Sequence, residues 1–360
     1  NASDFNKQTV YQSVLSNLGL NNSHIGQLKT QSRMFVDPKT KDILADLELP
    51  TEYIDLLIYA SNRLVDDKMD VDPPGRFRGY ERISGILYSE LVRGVKTFER
   101  GKHMPDMKFS INPRAVEIAI QSDESVEVVG NQNALKEVRS KQTMTFSGKH
   151  GRSSVSMVKE TRAFTENDLG VVSDNVPDSQ KVGIRFYSVP DPIFKNIHGI
   201  VDVLDKSKAS GANLISTASM LSPFIMTDDS KRRNFRGIQG DSAVHAKGYV
   251  VPPCRTGYEL VIPSLTGNSF TRKAKMDGVI KDRTGSRLLV EYKDGTVDKL
   301  KLSPEYDSDS GAILKNVFAS DFDKGDKVKK NHILVYNTNF FIREPWIEKG
   351  MVSYRIGIIK

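Results

Sequence analysis

Apolar residues recur with a helical period at three places early in the chain. Phe5, Val10, Tyr11, Val14, Leu15 and Leu18 fall mostly on one face, Ser3 stands where a cap belongs and Gly19 supplies a left-handed end, which predicts a helix over 3–19. A second helix is expected after Pro50, with Thr51 as cap and Ile54, Leu57, Ile58 and Leu64 as its apolar stripe. The sequence DVDPPGRFRG breaks the pattern. From Tyr80 to Arg100 the period returns through Ile83, Ile86, Leu87, Leu91, Val95 and Phe98 and closes at Gly101, with Arg82, Arg93, Lys96 and Arg100 on the polar side. From about Asp123 the pattern breaks into short pieces. The run KQTMTFSGKHGRSSVSM, Lys141–Met157, reads as an exposed loop, either a solvated connection or a loop lying near phosphates. After Leu265 the texture becomes short strands. RLLVEYK and TVDKLKL flank Asp294 and Gly295 as a hairpin would, and HILVYNTNFFI and MVSYRIGIIK are further strand candidates. The expected class is α+β: a mostly helical first half, an irregular middle and a beta-rich end.

Composition narrows the options. With 360 residues, 38% hydrophobic and 27% charged, the chain suits two or three folded domains and excludes wholesale disorder, collagen-like repetition and coiled coil. Its one cysteine, Cys254, excludes an internal disulfide and a four-cysteine zinc site, and it suits a reducing compartment. No apolar run approaches the ~18 residues that span a bilayer. The net charge of +7 fits a polyanionic partner. His24, His103, His150, His198, His245 and His332 lack the paired spacing of a zinc hydrolase, and there is no Gly-x-Ser-x-Gly elbow, Walker loop or dinucleotide fingerprint. Asp321, Asp323 and Asp326 in DFDKGDKV imitate an aspartate-rich magnesium loop. The glycine and the lysines that follow read instead as a tight turn feeding the strand HILVY.

The densest basic cluster is Lys231, Arg232, Arg233 and Arg236, placed directly after the apolar SMLSPFIM and the pair Asp228 and Asp229. Two readings stand side by side: a surface ion-pair cluster, or guanidinium groups held towards a triphosphate or a nucleic-acid backbone.

SMLSPFIMTDDSKRRNFRGIQGDSAV resembles the stretch of multisubunit RNA polymerase beta subunits in which a Ser-Leu-Ile-Pro-Phe run leads through D-D-x-x-R to the nucleotide site. Pro223, Phe224, Asp228, Asp229, Arg232, Ala243 and Val244 carry the match. Other stretches are similar in the same order. DVDPPGRFRGYERISGILYSELVRGVKTFERG matches through Asp70, Asp72, Gly75, Arg78, Arg93 and Arg100. NQNALKEVRSKQTMTFSG matches the section before the fork loop through Asn133, Leu135, Glu137, Lys141 and Gly148. RAFTENDLGVVSDNVPDSQKVG does so through Gly170, Pro177, Asp178 and Gly183. DGVIKDRTGSRLLVEY and KGDKVKKNHILVYNT look like the strands shortly before the family's catalytic-centre motif. The interval from Gly183 to Pro223 is shorter than in cellular beta subunits, so the resemblance is to the divergent, split beta subunits of giant bacteriophages.

The resemblance implies four segments: a helical 1–75, a fork-loop and rifamycin-pocket-like 76–185, a nucleotide-site segment 186–265 and a beta-rich 266–360. It implies a subunit of a DNA-directed RNA polymerase with no catalytic residue of its own. Magnesium would be held by a partner subunit and none by this chain. Arg232, with Asp229 and Lys231, would serve the nucleotide. Lys141, Lys149, His150, Arg152, Arg233 and Arg236 would contact nucleic acid. Expected partners are beta-prime-like subunits, the remaining part of beta, the DNA template, nascent RNA and nucleoside triphosphates, with no membrane. The expected location is the cytoplasm of an infected bacterial host, or the virion. At the positions of the rifamycin pocket stand Gly130, Ser140, Thr143 and Thr145, which implies insensitivity to the drug. The competing reading is a non-catalytic basic DNA-binding or virion structural protein.

Overall fold

The computed structural model describes residues 8–21, 23–24, 27, 35–65, 77–123, 126, 132–145, 155, 157–159, 162–164, 168–178, 180–194, 204–205, 207–242, 248–309, 312–356 and 358–359. Its contacts form two units. The first comprises Asn1–Gly75 with Leu87–Val116, and the second Arg76–Ile86 with Glu117–Lys360. Segments expected from residue 76 on fall in the second unit except for 87–116.

The first unit is helical among its described residues, with α1 (Gln8–Asn17), α2 (Pro38–Asp46), α3 (Tyr53–Val65) and the greater part of α4 (Gly79–Gly101). The three helices expected from periodicity are there, and residues 3–7 of the first lie outside the described residues. Gly19 takes the left-handed φ of 82° that ends a helix. Gly101 works differently: it stays helical, and a Cβ there would lie 2.7 Å from the Met107 side chain, so its smallness serves packing. Two helices escaped the periodicity. Both α2 and α5 (Pro113–Gln121) open with a proline, and Asp37 caps α2 by accepting the Thr40 N–H at 2.7 Å. Tyr88 donates to the same Asp37 carboxylate; this bond holds Asp37 below its ordinary value and pushes the phenol up to about 12. Leu57, Ile58 and Leu64 of α3 and Leu87, Leu91 and Val95 of α4 remain exposed.

The second unit contains every strand among the described residues. In it α6 (Ala134–Lys141) starts at Asn133, whose side chain accepts the Leu135 N–H at 2.8 Å. A three-stranded antiparallel sheet in the order β1-β2-β3 joins Phe77–Arg78, Thr143–Thr145 and Arg185–Tyr187. Met144, Met157, Val171, Val172, Ile184 and Phe186 fill its core. Then come α7 (Gly211–Leu214), α8 (Thr217–Met220), α9 (Ser230–Gln239), β4 (Tyr249–Val250) and α10 (Ile262–Leu265).

The beta-rich end is two packed antiparallel sheets. One has the order β12-β6-β7-β8, from Lys327–Val328, Gly278–Arg283, Arg287–Tyr292 and Val297–Lys301. The other has the order β11-β13-β5, from Phe318–Ala319, Ile333–Asn337 and Thr271–Lys273. Ile280, Leu288 and Val290 from the first meet Phe318, Leu334 and Val335 from the second in one core, and β13 is buried along its whole length. β7 and β8 form the expected hairpin: Gly295 has φ 82°, and Asp294 accepts the Thr296 N–H at 3.0 Å. Likewise Gly325, at φ 90°, turns the chain into β12. A ribbon of β9 (Glu305–Asp309) and β10 (Ala312–Asn316) follows the hairpin, and β14 (Phe341–Ile342) pairs with β15 (Ser353–Tyr354). A second core, with Leu135, Ala218, Leu221, Ile262, Phe270 and Phe341, seats α6, α8 and α10 on the strands. No helix among the described residues is long and apolar enough to cross a membrane.

Candidate functional site

The basic run folds as α9, a helix that amphipathicity of the usual kind would not reveal because its inner contacts are polar. Asp229, in extended backbone at its N-cap position, starts it, and the carboxylate of Asp228 accepts the Asp229 N–H at 2.9 Å. Its inner face is keyed to the loop 174–176. Asn234 accepts the Val176 N–H at 2.9 Å, and the Arg233 Nε lies 4.0 Å from the Asp174 carboxylate. Asp174 itself accepts the Ser216 N–H at 2.8 Å, tying that loop to the start of α8. Gly237 touches Asn175 so closely that a Cβ would fall 1.3 Å from its amide nitrogen.

A second set of contacts anchors the far end. Arg236 donates from Nε to the Ser222 hydroxyl at 2.9 Å. Arg139 of α6 pairs with Asp241, donates to Asn175 Oδ1 at 3.0 Å and to the Gly237 carbonyl at 3.3 Å, and lies 4.1 Å over the Tyr187 ring. Burial pushes the Asp241 carboxyl up, against the pull of Arg139. Sequence reasoning missed Arg139 and Asp241. The cap at Asn133 was a readable signal for α6, but nothing local says that Arg139 meets a carboxylate from a segment so distant in the chain.

What remains outward is Lys231, Arg232 and Phe235. Lys231 and Arg232 are exposed and make no ion pair or hydrogen bond among the described residues, and Arg232 does not pair with Asp229. Arg232 stands on the wall of an open cleft of about 690 Å³ shared with Phe224, Asp228, Phe235, Arg236 and Gln239. Phe224 sits at its rim with a left-handed φ of 60° and is 76% exposed, a backbone state that costs a residue with a Cβ about 1–2 kcal/mol. An unpaired guanidinium over a cleft of this size, with an aromatic ring beside it, can take an anionic, partly aromatic ligand.

The other expected residues are divided. Lys141 pairs with Glu137 at 2.7 Å and donates to the Leu265 carbonyl at 3.4 Å, while Glu137 accepts the Gly267 N–H through both oxygens at 3.1 and 3.0 Å. It thereby fastens α6 to the turn after α10. Nearby, burial and then Lys141 hold the Lys273 ammonium below its ordinary value. Lys149, His150 and Arg152 lie outside the described residues, as do Gly130 and Gly148. Thr143 and Thr145 are buried in β2, and Ser140 is half-buried.

The aspartates of DFDKGD do not fit a magnesium site. Asp321 accepts the Tyr336 hydroxyl at 3.1 Å, Asp323 pairs with Arg283 at 2.6 Å and Asp326 pairs with Lys349 at 2.5 Å. Each carboxylate is engaged with partners of its own, and no cluster of three His, Cys, Asp or Glu side chains able to hold a metal occurs among the described residues.

The sequence model of the family described as Bacteriophage RNA polymerase matches residues 1–155. Over that stretch the chain is similar to phage RNA polymerase. The similarity relates it to RNA polymerisation in general terms and takes in Lys141 and β2, while α9 and its cleft follow it in the chain. No curated protein matches the chain.

Proposed function

We propose that this chain is part of the beta subunit of a phage-type multisubunit RNA polymerase, in which the cleft beside α9 positions the incoming nucleoside triphosphate. The observation that carries the reading is Arg232. Of the arginines in the run, Arg233 and Arg236 are engaged with Asp174 and Ser222, whereas Arg232 faces the cleft with its five donors free among the described residues. A guanidinium keeps its charge at any working pH and can hold a phosphate through two parallel hydrogen bonds. Lys231 adds a second cation at the same helix end, while Asp228 and Asp229 shape the turn that aims it. The similarity of residues 1–155 to phage RNA polymerase supports a role in RNA polymerisation.

In this reading the chain supplies positioning and charge neutralisation, and the divalent ions and the residues that ligate them belong to a beta-prime-like partner. The test is Arg232→Ala in the polymerase assembled from all its subunits. The nucleotide Michaelis constant should rise and elongation slow by about tenfold or more, about 1.4 kcal/mol of transition-state stabilisation. Unchanged elongation would remove Arg232 from the nucleotide site.

A further inference from the structure

The four-stranded sheet buries one face in the core and leaves the other to solvent, and the solvent face carries a charge excess that the fold does not use. Its register sets Arg287 directly opposite Lys301, and Lys299 opposite Leu289 on the same face. A parallel row runs Lys327, Val279, Glu291, Val297 across all four strands. Two of the cations are answered: Lys281 pairs with Glu291, and Arg287 lies 3.6 Å from Asp282. Lys299, Lys301 and Lys327 are exposed and make no ion pair among the described residues. Like charges placed directly opposite in a sheet are destabilising, so the Arg287 and Lys301 pair works against the fold. Lysines on edge strands discourage pairing with other sheets, which would account for Lys299 and Lys301 on β8 and Lys327 on β12. Lys281 and Arg287, however, lie on the interior strands β6 and β7, so cations cross the whole face.

We propose that this face binds the phosphate backbone of duplex DNA without regard to sequence. Strand geometry sets Lys299 and Lys301 ~6.8 Å apart and neighbouring strands ~4.8 Å apart, a grid of long flexible cations that can follow a phosphate chain. Proteins that hold single strands add aromatic platforms for the bases. Here the apolar members are Val279, Leu289 and Val297, and the sheet's aromatic Tyr292 is turned into the core, so the face offers charge and no stacking surface. The surface is separate from the cleft beside α9 and stands whether or not that cleft takes a nucleotide.

The test is a salt titration of the full chain with a labelled DNA duplex, comparing the native protein with a Lys299→Glu, Lys301→Glu, Lys327→Glu variant. Affinity at low salt should fall by about tenfold or more, and the slope of log affinity against log salt should flatten by about 2–3 contacts. A variant with the same charge change at Lys39, Lys102 and Lys315, exposed lysines outside this sheet, should lose much less. Should the glutamate variant fail to fold, the three glutamine substitutions at Lys299, Lys301 and Lys327 should still flatten the slope. An equal loss in both triple variants would reduce the effect to net charge and overturn the proposal. So would an unchanged slope, or single-stranded DNA or anionic lipid vesicles binding as tightly as duplex with the same sensitivity to the three lysines.

Discussion

Neighbouring arginines of one helix end in different chemistry because a helix turns by about 100° per residue. Arg233 is carried inward to Asp174, Arg236 reaches back to Ser222, and Arg232 is left facing the cleft. The sequence marks the run as a block of charge and cannot rank its members, since the ranking depends on partners brought by the loop 174–176 and by Ser222. The same reasoning separates their effects on stability. Arg139→Leu leaves the half-buried Asp241 carboxylate without its cation and should lower the unfolding free energy by about 2 kcal/mol. Arg232→Ala removes an exposed, unpaired side chain and should change it by no more than about 0.5 kcal/mol. Urea unfolding of the two variants checks the contrast, and a comparable loss in both would mean that Arg232 is structural.

At the scale of elements, legibility followed the kind of burial each segment meets. The hairpin of β7 and β8 was readable because alternation and Asp294-Gly295 are local signals, and the structure keeps them: Leu288 and Val290 point to the core, and Gly295 holds a left-handed φ of 82°. Gly295→Ala should therefore cost about 1 kcal/mol in a thermal or chemical melt, because alanine must adopt that φ against its Cβ. An alanine variant as stable as the parent would mean that the turn had changed type. The apolar stripes of α3 and α4 also foretold their helices, yet Leu57, Leu64, Leu87 and Leu91 stay exposed, so periodicity reported the helix without reporting a cover. By contrast α6 and α9 carry short or polar inner faces, held by Asn133, Arg139, Asn175 and Asn234, and the hydrophobic pattern passed over them.

For the whole molecule, the matched stretch 1–155 and the proposed beta-subunit reading lead to a pharmacological expectation. Thr143 and Thr145 are buried in β2 and Ser140 is half-buried, so these positions present no acid, imidazole or arginine to a drug. Template-dependent RNA synthesis by the assembled enzyme should continue at rifamycin concentrations that stop cellular polymerases. Inhibition in that range would contradict the residue-by-residue match in the fork-loop region.

Alternation, turn residues and helical period are properties of neighbours in the chain, and from them alone came the α+β class, the three long early helices, the β7–β8 hairpin and the presence of a basic run after SMLSPFIM. Long-range pairing is not written in any such window. Only the packing of α9 against Asp174 and Asn175, and of α6 against Asp241, decided that Arg232 is the arginine left to a ligand. In the same way only the sheet register, which sets Arg287 beside Lys301, gathered scattered lysines onto one solvent face.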